Sequence, residues 1–237
     1  MDPVKKSLVT LHLAVVLLGG TGLFSKIIPL NAIDITLGRS LFACLALCLF
    51  VRAGREHLRL ERRLDYFIAV GLGVLMAAHW ATYFASMQYA GVSVGMIAMF
   101  TFPVITVLLE PLFEKTRLAW QDMLSALVVV IGIVLIVPEI SLDNDVTLGV
   151  GLGVISAVLY AVRNLSLRKY FSHYSGARSM AWQTLIIVLC LLPFSDLPNT
   201  QQDTSVWLLL LVLGTAFTAL PHALVANSLA HLRAKTF

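Results

Sequence analysis

The sequence predicts an all-α fold, a polytopic membrane helix bundle, from three observations. Hydrophobic residues make up 59% of the 237 residues and charged residues only 13%, which is about half the charge of a soluble domain. Uncharged stretches recur along the chain, and residues 66–109 alone carry no acidic or basic side chain, which is long enough for two bilayer-spanning helices. None of these stretches alternates with the period of two that a membrane β-barrel requires.

The uncharged stretches predict about eight spans. They cover residues 7–28, 33–52, 65–87, 92–112, 119–138, 147–167, 178–195 and 205–227. Lys5 and Lys6 before the first span resemble the start of a signal peptide. No small-residue cleavage site follows, so we expect the first span to be retained.

The charges predict an orientation. With the N-terminus in the cytoplasm, every basic residue except Lys26, Arg39 and Arg163 lies on the inner side, and the outer loops carry acidic residues. This asymmetry obeys the positive-inside rule and predicts an integral membrane protein, placed in the bacterial inner membrane with a cytoplasmic N-terminus. We expect the basic run 52–63 to contact anionic lipid rather than nucleic acid.

A weak internal repeat predicts two units of opposite orientation. A shift of 142 residues places 77–95 on 219–237, and it maps span one onto span six and span three onto span eight. A unit of five spans is odd, so its two copies face opposite ways, as in many transporters. We therefore expect a first repeat at 1–141 and a second at 142–237 that is incomplete after span eight. A fragment of a longer chain and a shortened working form both fit this expectation.

Three stretches resemble the EamA family of the drug/metabolite transporter superfamily. They are "DITLGRSLFACLAL" at 34–47, residues 82–136 with Pro103, Glu114 and Gly132, and "LYAVRNLSLRKY" at 159–170. The resemblance implies inverted five-helix repeats around a central cavity lined by spans one, three, four, six, eight and nine. It also implies export or exchange of small metabolites such as amino acids by alternating access, with no enzyme activity and no cofactor.

Ionisable residues inside spans are candidates for the substrate pathway, because burying them in a bilayer is costly. Arg39 could orient an anionic substrate group such as a carboxylate. Alternatively, it is structural and pairs with Asp34 or with carbonyl groups of a neighbouring helix. Lys26 and Arg163 lie near span ends, where we expect their long side chains to extend to the interface.

Histidine and aromatic residues supply further candidates. His79 in span three and His222 in span eight could relay protons, which are a candidate coupling ion, or could be hydrogen-bonded packing residues. Trp80 and Tyr83 could line a pocket for an apolar or aromatic substrate, or could face lipid.

The remaining candidates lie in spans four, six and eight. Glu110 could couple transport to protons or pair at the interface, and we expect Glu114 to pair with Lys115 or Arg117. Pro103 removes a helical donor and permits a bend or a substrate contact. The last three are hydrogen-bonding residues that could line the pathway or join helices: Tyr160, Asn164 and Asn227.

Residues 91–95 spell the G-x-S-x-G pattern of serine hydrolases around Ser93. That motif needs a strand before the serine and a helix after it, whereas spanning helices are predicted on both sides. We therefore expect a turn at Gly91 and a close helix contact at Gly95. An intramembrane hydrolase or lipid-modifying enzyme and a non-transporting membrane scaffold remain the alternatives to a transporter. No metal site is predicted.

Overall fold

The computed structural model describes residues 3–114, 117–136, 144–199 and 201–229, and every regular element within these ranges is helical. Seven helices in the described ranges are long and apolar enough to cross a membrane, and they confirm the predicted helical bundle. We call them spans one, two, three, four, six, seven and eight: Leu8–Ile27, Ala32–Ala53, Arg63–Ala90, Val92–Phe113, Asp145–Tyr170, Gly176–Phe194 and Thr204–Val225. The shorter apolar helix Trp120–Ile136 occupies the place of predicted span five.

Three of these spans are interrupted. The helix of span one divides at Gly20, and that of span four divides between Met99 and Phe102. Pro103 lies in the first turn of the second half of span four, where a proline without an N–H donor is tolerated. Span eight contains a turn of π-helix at Thr215–Ala219, a feature that is frequent at functional sites.

Side-chain caps define where several spans begin. Asn31 accepts a hydrogen bond from the backbone N–H of Asp34 at 2.8 Å and starts span two. Asn144 and Ser175 cap spans six and seven in the same way. These residues satisfy N–H groups that a helix leaves unpaired in its first turn.

The burial pattern suits a bilayer. Large apolar side chains such as Val16, Leu49 and Leu135 are exposed, whereas polar side chains such as Thr36, Ser40 and Thr184 are buried and donate to backbone carbonyls of their own helices. Apolar residues on the outer surface are stable against lipid, and the polar groups inside need internal partners.

Spans three and six form the most extensive helix pair, and spans two and seven also pack together. Small residues permit close approach: a Cβ on Gly153 would lie 2.6 Å from the Cβ of Ala98. Gly95 lies equally close to span three, because an added Cβ would meet the backbone nitrogen of Met87 at 2.8 Å. Small residues play this role in many membrane helix interfaces.

Polar contacts join the loops at each end of the bundle. At the end that carries residues 52–63 and 168–178, which we call the basic end, Tyr174 donates to Asp65 at 2.6 Å and Arg178 pairs with Glu56 at 3.3 Å. At the opposite end, Ser195 donates to Asp34. The loops predicted on one side of the membrane therefore contact each other.

Candidate functional site

A cavity lies between spans one, two, three, four, six and eight. The sequence prediction omitted span two, which contributes Arg39. The cavity is lined mainly by apolar and aromatic side chains: Val15, Leu18, Thr21, Arg39, His79, Trp80, Tyr83, Met99, Phe100, Phe102, Tyr160 and His222.

Arg39 is the central feature of this cavity. Its side chain is 1% exposed, and its guanidinium carbon lies 4.0 Å from the ring centroid of Trp80 and 5.1 Å from that of Phe84. Its Nε and Nη1 atoms have no hydrogen-bond partner among the described residues. The ring faces stabilise the cation in part, but the N–H groups on Nε and Nη1 have no acceptor among the described residues.

Asp34, the expected structural partner of Arg39, is engaged elsewhere. Its Oδ1 atom accepts hydrogen bonds from the Ser195 hydroxyl and from the backbone N–H of Leu197 at 3.4 Å, and its Oδ2 accepts one from Asn31. The hydrogen bonds of Asp34 therefore link the start of span two to the segment that follows span seven. The predicted Arg39–Asp34 pair does not form in the structure.

His79 is held in a fixed position by span six. Its Nδ1 atom lies 2.8 Å from the Ser156 hydroxyl and 3.0 Å from the Ser156 carbonyl oxygen, while that hydroxyl is 3.0 Å from the His79 carbonyl oxygen. The imidazole stacks on Tyr160 at 4.6 Å and is nearly parallel to Tyr83 at 6.1 Å. These contacts fix the plane of the ring at the cavity wall.

His222 faces the same space from span eight. Its ring centroid is 5.1 Å from that of Trp80 and 6.4 Å from that of Tyr160. Its side chain is buried, and Nδ1 has no hydrogen-bond partner among the described residues. Both histidine rings therefore lie next to Tyr160, and only His79 has a hydrogen-bond partner on its Nδ1 atom among the described residues.

Not every candidate lines the cavity. Pro103 follows the lining residue Phe102 but does not line the cavity itself. Asn164 is also absent from the lining, and its Oδ1 atom accepts a hydrogen bond from Arg163. The side chain of Asn227 lies outside the described residues. Glu110 is buried at the basic end of span four, away from the cavity.

An ion-pair triad joins span four to span six at the basic end. Arg168 Nη2 lies 2.9 Å from Glu110 Oε1 and 2.7 Å from Glu114 Oε1. The Glu110 side chain is 3% exposed, whereas that of Glu114 is 36% exposed. The interfacial pairing expected for Glu114 is present, but its partner in the described residues is Arg168; Lys115 lies outside them.

Comparison with known proteins identifies the family. A sequence profile of the EamA-like transporter family matches residues 5–137. The chain belongs to this family of transporters. A relative in Bacillus subtilis (strain 168), named uncharacterized transporter YxxF, is 24% identical over 238 residues, which cover 97% of this chain and 75% of the relative.

A solved crystal structure shares the fold of this EamA-family protein. It has a TM-score of 0.70 and 14% sequence identity, and the match covers 95% of this chain and 79% of that one. Together with the apolar helices, the family establishes an integral membrane protein.

Arg163 is a second buried arginine in this EamA-family protein, and the prediction that its side chain extends to the interface is wrong. It is 0% exposed and donates to Gln183 at 2.7 Å, to Asn164 at 2.8 Å and to the sulfur of Met180 at 2.9 Å. The neighbouring polar residues Asn164 and Gln183 were the available signal. Unlike Arg39, Arg163 has partners for three of its nitrogens.

Ser93 lies in none of the polar clusters. It is exposed at the start of Val92–Met99, a helix precedes it, and Gly91 makes the turn between the helices with a φ of 83°. The positive φ explains the glycine at this position. Within the described residues, no cluster of His, Cys, Asp and Glu side chains has the geometry of a metal site.

Proposed function

We propose that this EamA-family protein is a secondary transporter that exports or exchanges small metabolites by alternating access. The observation that carries the proposal is Arg39, a buried cation with unpaired nitrogens that faces an aromatic cavity. A buried charge without a partner destabilises a membrane protein, and such residues usually mark an ion or substrate pathway. A substrate that brings an anionic group removes this cost when it binds.

The chemistry of the cavity supports an amino acid or a related compound as the substrate. A carboxylate would accept hydrogen bonds from the planar guanidinium of Arg39, which presents several N–H groups in a fixed geometry. The faces of Trp80, Tyr160 and Phe102 would contact an apolar or aromatic body. A polyhydroxylated sugar would find few polar partners on such a wall.

Two inverted units, residues 1–141 and 142–237, would supply the two halves that move. The packing supports this division: span three packs on span six, and span eight packs on span one. The repeat relates span one to span six, span two to span seven, and span three to span eight. Under this relation the pair of spans three and six corresponds to the pair of spans eight and one, and the pair of spans two and seven corresponds to itself. An inverted repeat produces this symmetry.

Protons are the proposed coupling ion, with His79 and His222 as the carriers. Imidazole groups titrate near neutral pH in water, and the buried Nδ1 of His222 has no hydrogen-bond partner among the described residues. We place the basic end on the cytoplasmic side of a bacterial inner membrane, because basic loops are retained on that side.

Transport by the purified full chain in proteoliposomes tests the proposal. We expect exchange of a radiolabelled amino acid or related carboxylate, with loss of exchange in Arg39→Gln. Arg59→Gln, a change in an exposed loop at the basic end, should retain it.

Three results would weigh against the proposal. Absence of exchange across a panel of carboxylates, with and without a proton gradient, would favour a non-transporting scaffold. Full activity in Arg39→Gln would remove the anion-binding role. Dependence on a proton gradient that survives His79→Gln and His222→Gln would reject the histidines as proton carriers.

A further inference from the structure

A second cavity lies at the basic end, far from the aromatic one. It is a groove between the last two turns of span two and the loop that follows. Leu45, Leu49 and Leu58 are among the apolar residues of its wall, and the basic residues Arg52 and Arg55 also line it. Leu45 and Leu49 are more than half exposed, so the groove continues the lipid-facing surface of span two.

The charges in the groove are available for a ligand. Arg52 and Arg55 are exposed, and their guanidinium groups pair with no carboxylate among the described residues. Glu56, the acidic residue of the groove wall, is compensated by Arg178 at 3.3 Å and by the Ser175 hydroxyl at 2.6 Å. The groove therefore carries a net positive charge.

Three hydrogen bonds from or to aromatic side chains hold the loop that forms the outer wall. The Trp182 indole donates to the Leu58 carbonyl at 2.7 Å, the Leu60 N–H donates to the Tyr66 hydroxyl at 3.1 Å, and the Glu61 N–H donates to the Tyr174 hydroxyl at 2.7 Å. A loop held at several points gives a preformed site, which lowers the entropic cost of binding.

The backbone at the end of span two has an unusual conformation at Arg55. This residue has a φ of 56°, which is unusual for a residue with a side chain. The N–H groups of Gly54, Arg55 and Glu56 bond to the carbonyls of Phe50, Arg52 and Val51. These bonds occupy carbonyl groups that would otherwise repel an anion at the C-terminal end of a helix.

We propose that this groove binds one anionic phospholipid from the leaflet at the basic end. Its phosphate pairs with Arg52 and Arg55, and an acyl chain lies along Leu45 and Leu49. The groove presents arginine side chains about one helical turn from exposed leucine side chains. A phospholipid matches both, because its phosphate can pair with arginine and its acyl chain can contact leucine. This inference does not depend on the transported substrate.

Native mass spectrometry of the full chain in neutral detergent tests this site with dioleoyl phosphatidylglycerol, dioleoyl phosphatidylcholine and inorganic phosphate. We expect the protein to retain the anionic phosphatidylglycerol in preference to the zwitterionic phosphatidylcholine. Each juxtamembrane arginine contributes about fivefold in affinity, so Arg52→Gln combined with Arg55→Gly should weaken binding about thirtyfold. Glycine accepts the positive φ at position 55, so the variant should stay folded.

The matched control is Arg59→Gln, which removes the same charge from the same loop but outside the groove, and it should bind lipid as the wild type does. A single Arg52→Gln variant with about fivefold weaker binding provides a second check. Equal binding of both lipids, equal loss in Arg59→Gln, or displacement of the lipid by millimolar inorganic phosphate would overturn the proposal. The last result would indicate a site for a soluble anion.

Discussion

Replacing Arg39 by methionine should stabilise the protein while abolishing transport. An arginine within a spanning helix costs at most about 3 kcal/mol, the value at the helix centre, and contact with a desolvated aromatic face offsets about 2 kcal/mol of this. No carboxylate among the described residues compensates the remainder, because Asp34 is bound to Ser195. Methionine has a similar length and no charge, so Arg39→Met should raise the free energy of unfolding by about 1 kcal/mol.

Arg163→Met is the matched control for this prediction. Both arginines are almost completely buried in spans, but Arg163 donates to Gln183, Asn164 and Met180. Removing it leaves buried acceptors unpaired, at a cost of about 1–3 kcal/mol for each. The same substitution should therefore have opposite effects at the two positions.

The measurement is the midpoint of thermal unfolding in detergent. Unfolding is monitored as the loss of the monodisperse peak in size-exclusion chromatography. About 1 kcal/mol corresponds to a rise of about 2–4 °C for a chain of this size. Arg163→Met should lower the midpoint by at least as much. If Arg39→Met lowers the midpoint as far as Arg163→Met does, Arg39 is a structural residue and the reasoning is refuted.

Three further predictions concern the ends and the helix contacts of the bundle. Arg168→Gln should lower the free energy of unfolding by about 3–5 kcal/mol because it leaves Glu110 buried and unpaired, and adding Glu110→Gln should restore most of it in the same assay. Gly95→Ala should cost about 1–3 kcal/mol because the new Cβ would overlap the backbone of span three, whereas Gly71→Ala has open space and should gain about 0.5–1 kcal/mol. Burial, together with the hydrogen bond to the Asp65 carboxylate, raises the pKa of Tyr174. The stability that this tyrosine contributes should therefore be present below about pH 10 and be lost as the pH rises above it. Tyr174→Phe should remove this alkaline loss from a series of unfolding midpoints measured at increasing pH.

Each of these predictions has a contradicting outcome. Failure of the double variant to recover would show that Arg168 acts through contacts other than Glu110. Equal effects of the two glycine substitutions would remove the close-contact argument for Gly95. An alkaline transition that is unchanged in Tyr174→Phe would place the titrating group elsewhere.

Most of the secondary structure could be predicted from the sequence. The interval 65–87 corresponds to Arg63–Ala90, and 92–112 corresponds to Val92–Phe113. The physical reason is that the bilayer imposes a length and an apolar composition on each span, and both are local properties of the chain. The turn at Gly91 was predictable for the same reason, since it interrupts a long uncharged run.

The candidate site was predictable only as a set of residue types. Arg39, His79, Trp80, Tyr83, Tyr160 and His222 were chosen for their chemistry, and the structure brings them to one cavity. Glu110 was chosen on the same ground, but its partner Arg168 is 58 residues away in the chain and the pair lies at the basic end.

The sequence by itself determined which segments cross the membrane, which loops carry the basic charges and which unusual side chains lie within spans. Only the tertiary structure decided which of those side chains have partners. Asp34 is five residues before Arg39, a separation that places them about 140° apart around a helix, so proximity in sequence suggested a pair that the helix geometry prevents. Arg163 is seven residues from the end of span six, but it faces the bundle and hydrogen-bonds to span seven instead of reaching the interface. Depth in the membrane follows from position along the chain, whereas the direction a side chain faces depends on how the helices pack.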